Sequence, residues 1–312
     1  MPFYNCRTTT LDIVEIVIEF VIAVPSIVIY ALLFRLFHKR KQTRMLNDSF
    51  FTLFILSAVM NIAMFIINFI FFRIPGIGIF CDEIMNSPLS VPTYWLTLPY
   101  FLGYYLQYSQ LLTVVAISFN RMCSVLLTTN FAEIWRSLTP LCIFLILVGP
   151  LLFTWQLLFA PVFYSGVNNG LGMDYMKVIK YAKNSLLSLC ANLAGAVLVI
   201  SFTVVTVVRM STMMRRHKKS EISLLIIGAI QSLGVLLIAA HQLYMTINFS
   251  DLLYQKRFIL VDFMSFSPAW ALLLLSSSVR NRVSSMLWTP SKCEPMKTSV
   301  QEESKNIIRR FS

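Results

Sequence analysis

The chain is 312 residues long and 57% hydrophobic, with only 13% charged residues. Soluble domains carry about 25% charged residues, so the polar cover that a soluble enzyme of this size needs is missing, and that class is excluded. The remaining charge is lopsided, 26 Lys and Arg against 14 Asp and Glu, for a formal +12; in so apolar a chain the excess fits loops facing an anionic leaflet and not nucleic acid.

A spanning helix needs about 20 mainly apolar residues. Seven such runs follow one another, at 12–37, 48–72, 95–127, 138–164, 184–208, 222–247 and 258–279. Asp12, Glu15 and Glu19 seed the first as a stripe at i, i+3 and i+7, and no small-residue cleavage site follows it, so it reads as a retained helix. Pro92 and Pro99 interrupt the start of the third. Past the seventh, Val279, Val283, Met286 and Leu287 share one face, predicting a short amphipathic helix at 280–289 on the inner leaflet. The polar stretch 290–312 reads as a disordered cytoplasmic tail. Residues 1–279 are thus expected to form an all-α seven-transmembrane helix bundle. Six scattered cysteines without a CxxC pair, and only three histidines, predict neither a metal centre nor a cofactor.

Orientation follows from the basic residues. Five Lys or Arg lie at the end of span one and the loop after it, two after span three, five after span five and seven after span seven, while only seven lie on the opposite side. The positive-inside rule then puts the N-terminus outside and the C-terminus in the cytoplasm. Arg73 counts among the outer residues, and the sugar-acceptor pattern Asn248-Phe249-Ser250 falls outside as well.

Ionisable groups inside a bilayer are costly and are functional candidates by default. His241 lies about 9 Å and Asp262 about 6 Å below the outer ends of spans six and seven, so the two are either within reach of each other or unrelated residues near the rim. In span three, Tyr100, Tyr104, Gln107, Tyr108 and Leu111 fall on one helical face. Turned into the bundle, that face suits a small amphiphilic ligand, since rings supply apolar area and hydroxyls fix orientation; such a stripe is more often core packing or an interfacial belt than a pocket. Arg121 stands about 21 Å further along the same helix than Gln107, so one rod carries an outer stripe and an inner cation. The last span has no lysine for a retinal, no Gly-x-Ser-x-Gly signature is present, and the halves show no internal repeat of the transporter kind. A ligand-gated cation channel built from several seven-helix subunits remains the alternative to a receptor.

Several short stretches carry a likeness: Pro25-Ser26 with Tyr30, Asp48-Ser49-Phe50-Phe51, Ser118-Phe119-Asn120-Arg121-Met122-Cys123-Ser124, Glu133-Ile134-Trp135, Ser267-Pro268-Ala269-Trp270 and Val279-Arg280. Together they make the chain resemble nematode serpentine receptors of class gamma. The resemblance implies a multi-pass plasma-membrane chemosensory G-protein-coupled receptor, the sensory cilium being one setting for it. Its partners would be an odorant- or pheromone-like small molecule and a heterotrimeric G protein. We name Tyr104, Gln107, Tyr108, His241 and Asp262 for the ligand, and Arg121, Trp135, Arg215, Arg216, Lys218 and Lys219 for a basic docking surface on the G-protein side. Asn120 stands where the wider rhodopsin-like class has an acid, so an acid–arginine lock within span three is missing. The usual disulfide to the second outer loop is missing too, because 165–183 contain no cysteine; Cys6 and Cys81 are the exterior cysteines left, and whether they pair stays open.

Overall fold

The computed structural model describes residues 8, 10–41, 49–127, 130–167, 170–179, 184–212, 219–248 and 251–288. Its seven long helices are α1 Thr10–Lys41, α2 Ser49–Asn68, α3 Thr97–Leu126, α4 Phe131–Val148, α5 Asn184–Thr212, α6 Lys219–Ile247 and α7 Asp251–Leu275. α2 runs on as a π-turn, Phe69–Arg73, and a last α-turn, Ile74–Gly76; α4 continues through Leu151–Thr154 and a 3-10 turn to Phe159. Among the described residues, seven helices are long and apolar enough to cross a membrane, in agreement with the count from sequence. The fourth begins at Phe131, ahead of the predicted 138, because Glu133 and Arg136 stay exposed on its surface and do not break it.

The core runs the length of the bundle, with Tyr30, Leu33, Leu53, Ile117, Trp135, Ile146 and Leu272 almost fully enclosed. Small residues set the closest approaches. A Cβ on Gly195 of α5 would stand 2.6 Å from Leu111 of α3, and one on Gly234 of α6 would stand 2.8 Å from Met264 of α7. Outward faces such as Ile13, Val17, Phe20 and Val21 of α1 are exposed apolar surface of the kind lipid covers.

The purely α expectation needs one correction. Instead of a fourth span reaching 164, the chain leaves the helix at Phe159 and forms an antiparallel hairpin, β1 Val162–Val167 and β2 Gly170–Tyr175, with Val167 opposite Gly170. Val162 and Tyr164 on one strand, and Leu171 and Met173 on the other, face Phe72, Tyr100 and Phe258 at the end of the bundle. Thr93 bridges to Val162 through both backbone groups, the Thr97 hydroxyl donates to the Ala160 carbonyl, and the Tyr164 hydroxyl donates to the Phe71 carbonyl at 2.9 Å. These bonds fasten the hairpin over one end of the bundle. A Cβ on Gly170 would lie 1.9 Å from the Gly76 carbonyl oxygen, so only glycine lets the two backbones meet there.

A final helix, α8 Ser277–Trp288, follows α7. Val279 and Val283 are buried in the bundle core, and the exposed Arg280 donates to the Leu274 carbonyl, capping the end of α7. The side chains of Met286 and Leu287, the tail from 289, and Cys6 lie outside the described residues. Cys81 is disulfide-bonded, whereas Cys123, Cys142 and Cys190 are free thiols.

Candidate functional site

The site is built around a change of helical pitch. In an α-helix a residue five positions on from Asn68 points about 140° away from it. The π-turn at Phe69–Arg73, whose backbone bonds span five residues, brings such residues back toward one face. Asn68, Phe72 and Arg73 are all buried as a result. The Arg73 Nη1 donates to Glu19 of α1 at 2.7 Å and to Asp262 of α7 at 2.6 Å, and Nη2 donates to the Phe258 carbonyl at 3.1 Å. The guanidinium lies over the rings of Phe65 and Phe258 at 5.7 and 5.3 Å. The side chains of Arg73, Glu19 and Asp262 are only 4%, 11% and 13% exposed. One guanidinium therefore joins three helices in a nearly dry interior. Beside it, Lys256 of α7 pairs with Glu15 of α1 at a wetter position.

Two openings reach this cluster. A cavity of about 50 Å³ lies under the hairpin, walled by Ile16, Phe72, Ile77, Leu171 and Phe258 and edged by Asp12, Glu15, Glu19, Arg73 and Lys256. It has room for a few waters. A larger cleft of about 660 Å³ runs between α1 and α7, where Ile18, Ile22, Ile259, Phe263 and Trp270 form apolar walls and Glu19 and Asp262 stand among them.

The structure separates the two ionisable residues that shared a depth in the sequence. Asp262 belongs to the Arg73 cluster, while the His241 Nε2 is 3.0 Å from the Leu253 carbonyl, so the two do not pair. The span-three stripe does turn inward at Tyr100, Tyr108 and Leu111, but it packs and lines neither opening. Tyr100 meets Phe72 and Tyr175, Tyr104 meets Tyr100 edge-on with Arg257 at 5.8 Å from its ring, and Tyr108 stacks on Phe153. Gln107 is half-buried. Arg73, the residue at the centre, was counted as an outer-loop cation, and Glu19 only as part of an acidic stripe. The signal available was their coincidence: a lone arginine ending a Phe-rich run, and acids on one face of the first helix.

Deeper in the bundle, Asn61 of α2 donates to the Tyr30 hydroxyl and the Ser265 carbonyl, at 3.1 and 3.0 Å. Gln110 of α3 donates to the Asn61 Oδ1 and the Ser265 hydroxyl, at 2.9 and 3.1 Å. Pro268 lacks the N–H that an α-helix needs, so the ladder of α7 is incomplete beside this knot. One turn away the Trp270 Nε1 donates to the Ser26 hydroxyl at 2.8 Å. At the end opposite the hairpin, Asn120 donates to the Ser49 hydroxyl at 2.7 Å, and the Arg121 guanidinium lies 3.6 Å from the centre of the Phe50 ring. Trp135 is 2% exposed, wedged against Phe119 and Phe131, which makes it core and removes it from any docking surface. Arg215, Arg216 and Lys218 lie outside the described residues; Lys219 opens α6, its side chain undescribed.

Outside the spans, burial pushes the Tyr164 and Tyr175 hydroxyls above the ordinary tyrosine range, so both stay protonated, and Tyr164 remains a donor, at neutral pH. Chemically, the arrangement offers a charged, nearly dry recess between helices, at the far end of the bundle from an arginine held on an aromatic ring.

Comparison with known proteins gives one consistent result. A family model described as Srg family chemoreceptor matches residues 16–283. Among similar proteins from Caenorhabditis elegans, serpentine receptor class gamma-3 is 27% identical over 76% of this chain and 73% of its own length. Serpentine receptor class gamma-15 is 28% identical over 80% of this chain and 78% of its own. Serpentine receptor class gamma-17 is 28% identical over 75% of this chain and 74% of its own.

Proposed function

Because the chain belongs to the Srg family of chemoreceptors, a seven-helix membrane family, we propose that it binds a small molecule at the Arg73 cluster and activates a heterotrimeric G protein at the opposite end of the bundle. The observation that carries the reading is the buried Glu19–Arg73–Asp262 contact with an opening on either side of it. Charge buried at such cost is retained where it is used. The distribution of Lys and Arg supports a hairpin end facing outward and an Arg121 end facing the cytoplasm.

On this reading Asp262 keeps its place among the ligand residues and is joined by Glu19 and Arg73. Tyr104, Gln107, Tyr108 and His241 act behind them by packing and positioning. Arg121, held over Phe50, is the group a G protein would draw out of the bundle, with the basic stretch around Arg215, Arg216, Lys218 and Lys219 adding long-range attraction.

The test is a metabolite screen on cells expressing the full chain, read by G-protein dissociation. A hit whose response disappears in Arg121→Ala, at unchanged surface expression, supports the reading. Ligand-evoked current that persists with G-protein turnover blocked overturns it in favour of a channel.

A further inference from the structure

We infer that the ligand of this recess is a small organic ammonium, a protonated amine on an apolar body, seated between Glu19 and Asp262. The inference rests on the ligand-binding reading above and names its chemical class. It starts from charge balance. Glu19 and Asp262 share one cation, Arg73, and among the described residues neither has another within ion-pair distance. Lys256 is engaged by Glu15, so it does not supply the missing charge. With both carboxylates ionised, the triad has one surplus negative charge on largely enclosed side chains, which is expensive in a dry interior unless a proton or another cation joins it.

The open valence is at a suitable place. The Asp262 Oδ1 is buried and accepts no hydrogen bond, while its other oxygen is taken by Arg73. An ammonium has N–H groups to give to that oxygen and to Glu19. The cleft between α1 and α7 contains both carboxylates, is edged by the Glu15–Lys256 pair and Ser267, and is apolar elsewhere, with Ile18, Ile22, Phe263 and Trp270 along it. Its volume of about 660 Å³ falls in the range of small-molecule pockets, about 300–1,000 Å³. The cavity under the hairpin, at about 50 Å³, is too small for more than the head of such a molecule.

One observation points the other way. The Arg73 Nε is a buried donor without an acceptor, and an anionic ligand would satisfy it. Such a ligand would also raise the surplus from one negative charge to two beside Glu19 and Asp262. Charge balance decides against the anion, and the open Asp262 Oδ1, an acceptor, favours a donor cation.

The experiment uses the full chain in detergent micelles and reads its thermal unfolding midpoint, which needs no G protein. Three probes of one shape are compared: phenethylamine, 2-phenylethanol and phenylacetate, each at up to about 10 mM, with sodium chloride as an inorganic arm. Phenethylamine is expected to raise the midpoint by several degrees and the other three are not. Glu19→Gln, which removes the surplus charge, is expected to unfold at a higher temperature than the parent without any amine. It is also expected to bind phenethylamine at least about tenfold more weakly. Equal shifts from amine and alcohol, a shift from the acid, an equal shift from sodium alone, or no shift from the amine each overturn the inference. So does a Glu19→Gln variant no more stable than the parent. An amine that stabilises the protein without G-protein turnover leaves the ligand class standing and removes the receptor reading.

Discussion

Replacing Arg73 by methionine keeps the length and apolar stem of the side chain and deletes the charge that joins α1, α2 and α7. The two contacts, at 2.7 and 2.6 Å, are each worth about 6 kcal/mol of gross attraction at an effective dielectric of about 20. Both carboxylate oxygens bond the same Nη1, so they stand no more than about 5 Å apart and repel by about 3 kcal/mol. Desolvating three ions costs several kcal/mol each, which brings the intact triad close to break-even. Methionine forfeits both attractions and keeps the repulsion. Removing one partner from a buried pair typically costs about 3–5 kcal/mol, and two stranded carboxylates put Arg73→Met at the upper end. That corresponds to a fall of about 10 °C in the unfolding midpoint. Thermal unfolding of the detergent-solubilised chain measures it, with the triple variant Arg73→Met, Glu19→Gln, Asp262→Asn as the control. The triple variant regains most of the loss because no charge is left to strand. If Arg73→Met unfolds at the parent temperature, or the triple variant is no better than the single one, the triad is not the ionic joint between α1, α2 and α7 described.

Three further outcomes follow from the packing. Gly170→Ala drives a Cβ against the Gly76 carbonyl oxygen, so the hairpin lifts from α2 at a cost of about 1–3 kcal/mol, and hydrogen exchange of residues 162–175 accelerates while that of α3 does not. Trp135→Ala empties a core position that is 2% exposed and costs about 3–5 kcal/mol, seen as lost surface expression; normal expression with lost coupling would instead return Trp135 to the docking surface. Tyr164→Phe removes the bond to the Phe71 carbonyl and costs about 1 kcal/mol at neutral pH. Because burial raises the folded-state pKa of Tyr164, that contribution is fully present below the unfolded tyrosine value of about 10 and disappears as pH rises through the higher folded value. The difference between parent and variant in alkaline unfolding curves is therefore constant below about pH 10 and narrows from there upward.

The membrane architecture was legible because span length and apolarity are properties of contiguous sequence. The motif pieces were legible too, though not their reason. Pro25-Ser26 with Tyr30 and Ser267-Pro268-Ala269-Trp270 meet across α1 and α7, where Trp270 bonds Ser26 and Tyr30 bonds the Ser265 carbonyl. Ser49-Phe50 and Asn120-Arg121 meet across α2 and α3. Contacts between segments 71 to 244 residues apart leave no local periodicity to read. The hairpin was missed because its strands adjoin an apolar span and continue its hydrophobicity; the alternation of Val162 with Tyr164 and of Leu171 with Met173, about Asn168-Asn169-Gly170, was the available sign. Arg73 was missed for a subtler reason. Counting basic residues assigns a flanking arginine to a loop, whereas a π-turn extends the helix past it and turns it inward.

The same helix explains how three separate polar contacts form one mechanical unit. α2 with its π-turn supplies Arg73 to the charged triad, Asn61 to the knot around Ser265, and Ser49 and Phe50 to Asn120 and Arg121. Asn61 lies about 18 Å from Arg73 along the axis and about 16 Å from Phe50, so it sits near the middle of the lever. Sequence alone singled out span three as the rod linking the two ends, because Tyr104, Gln107 and Arg121 share it. The contacts give α2 a polar hold at both ends and at the centre; the outer part of α3 is tied by the Thr97 and Tyr105 hydroxyls to the Ala160 and Leu147 carbonyls, not to the Arg73 triad, and otherwise packs by rings. Ring contacts slide at small cost, whereas a buried hydrogen bond or ion pair is either made or costly to leave unmade. On the proposed reading, a ligand that joins Glu19 and Asp262 shares their hold on Arg73 and so acts on the helix whose opposite end positions Phe50 under Arg121. On that reading α2 would be the two-state element biased from both ends.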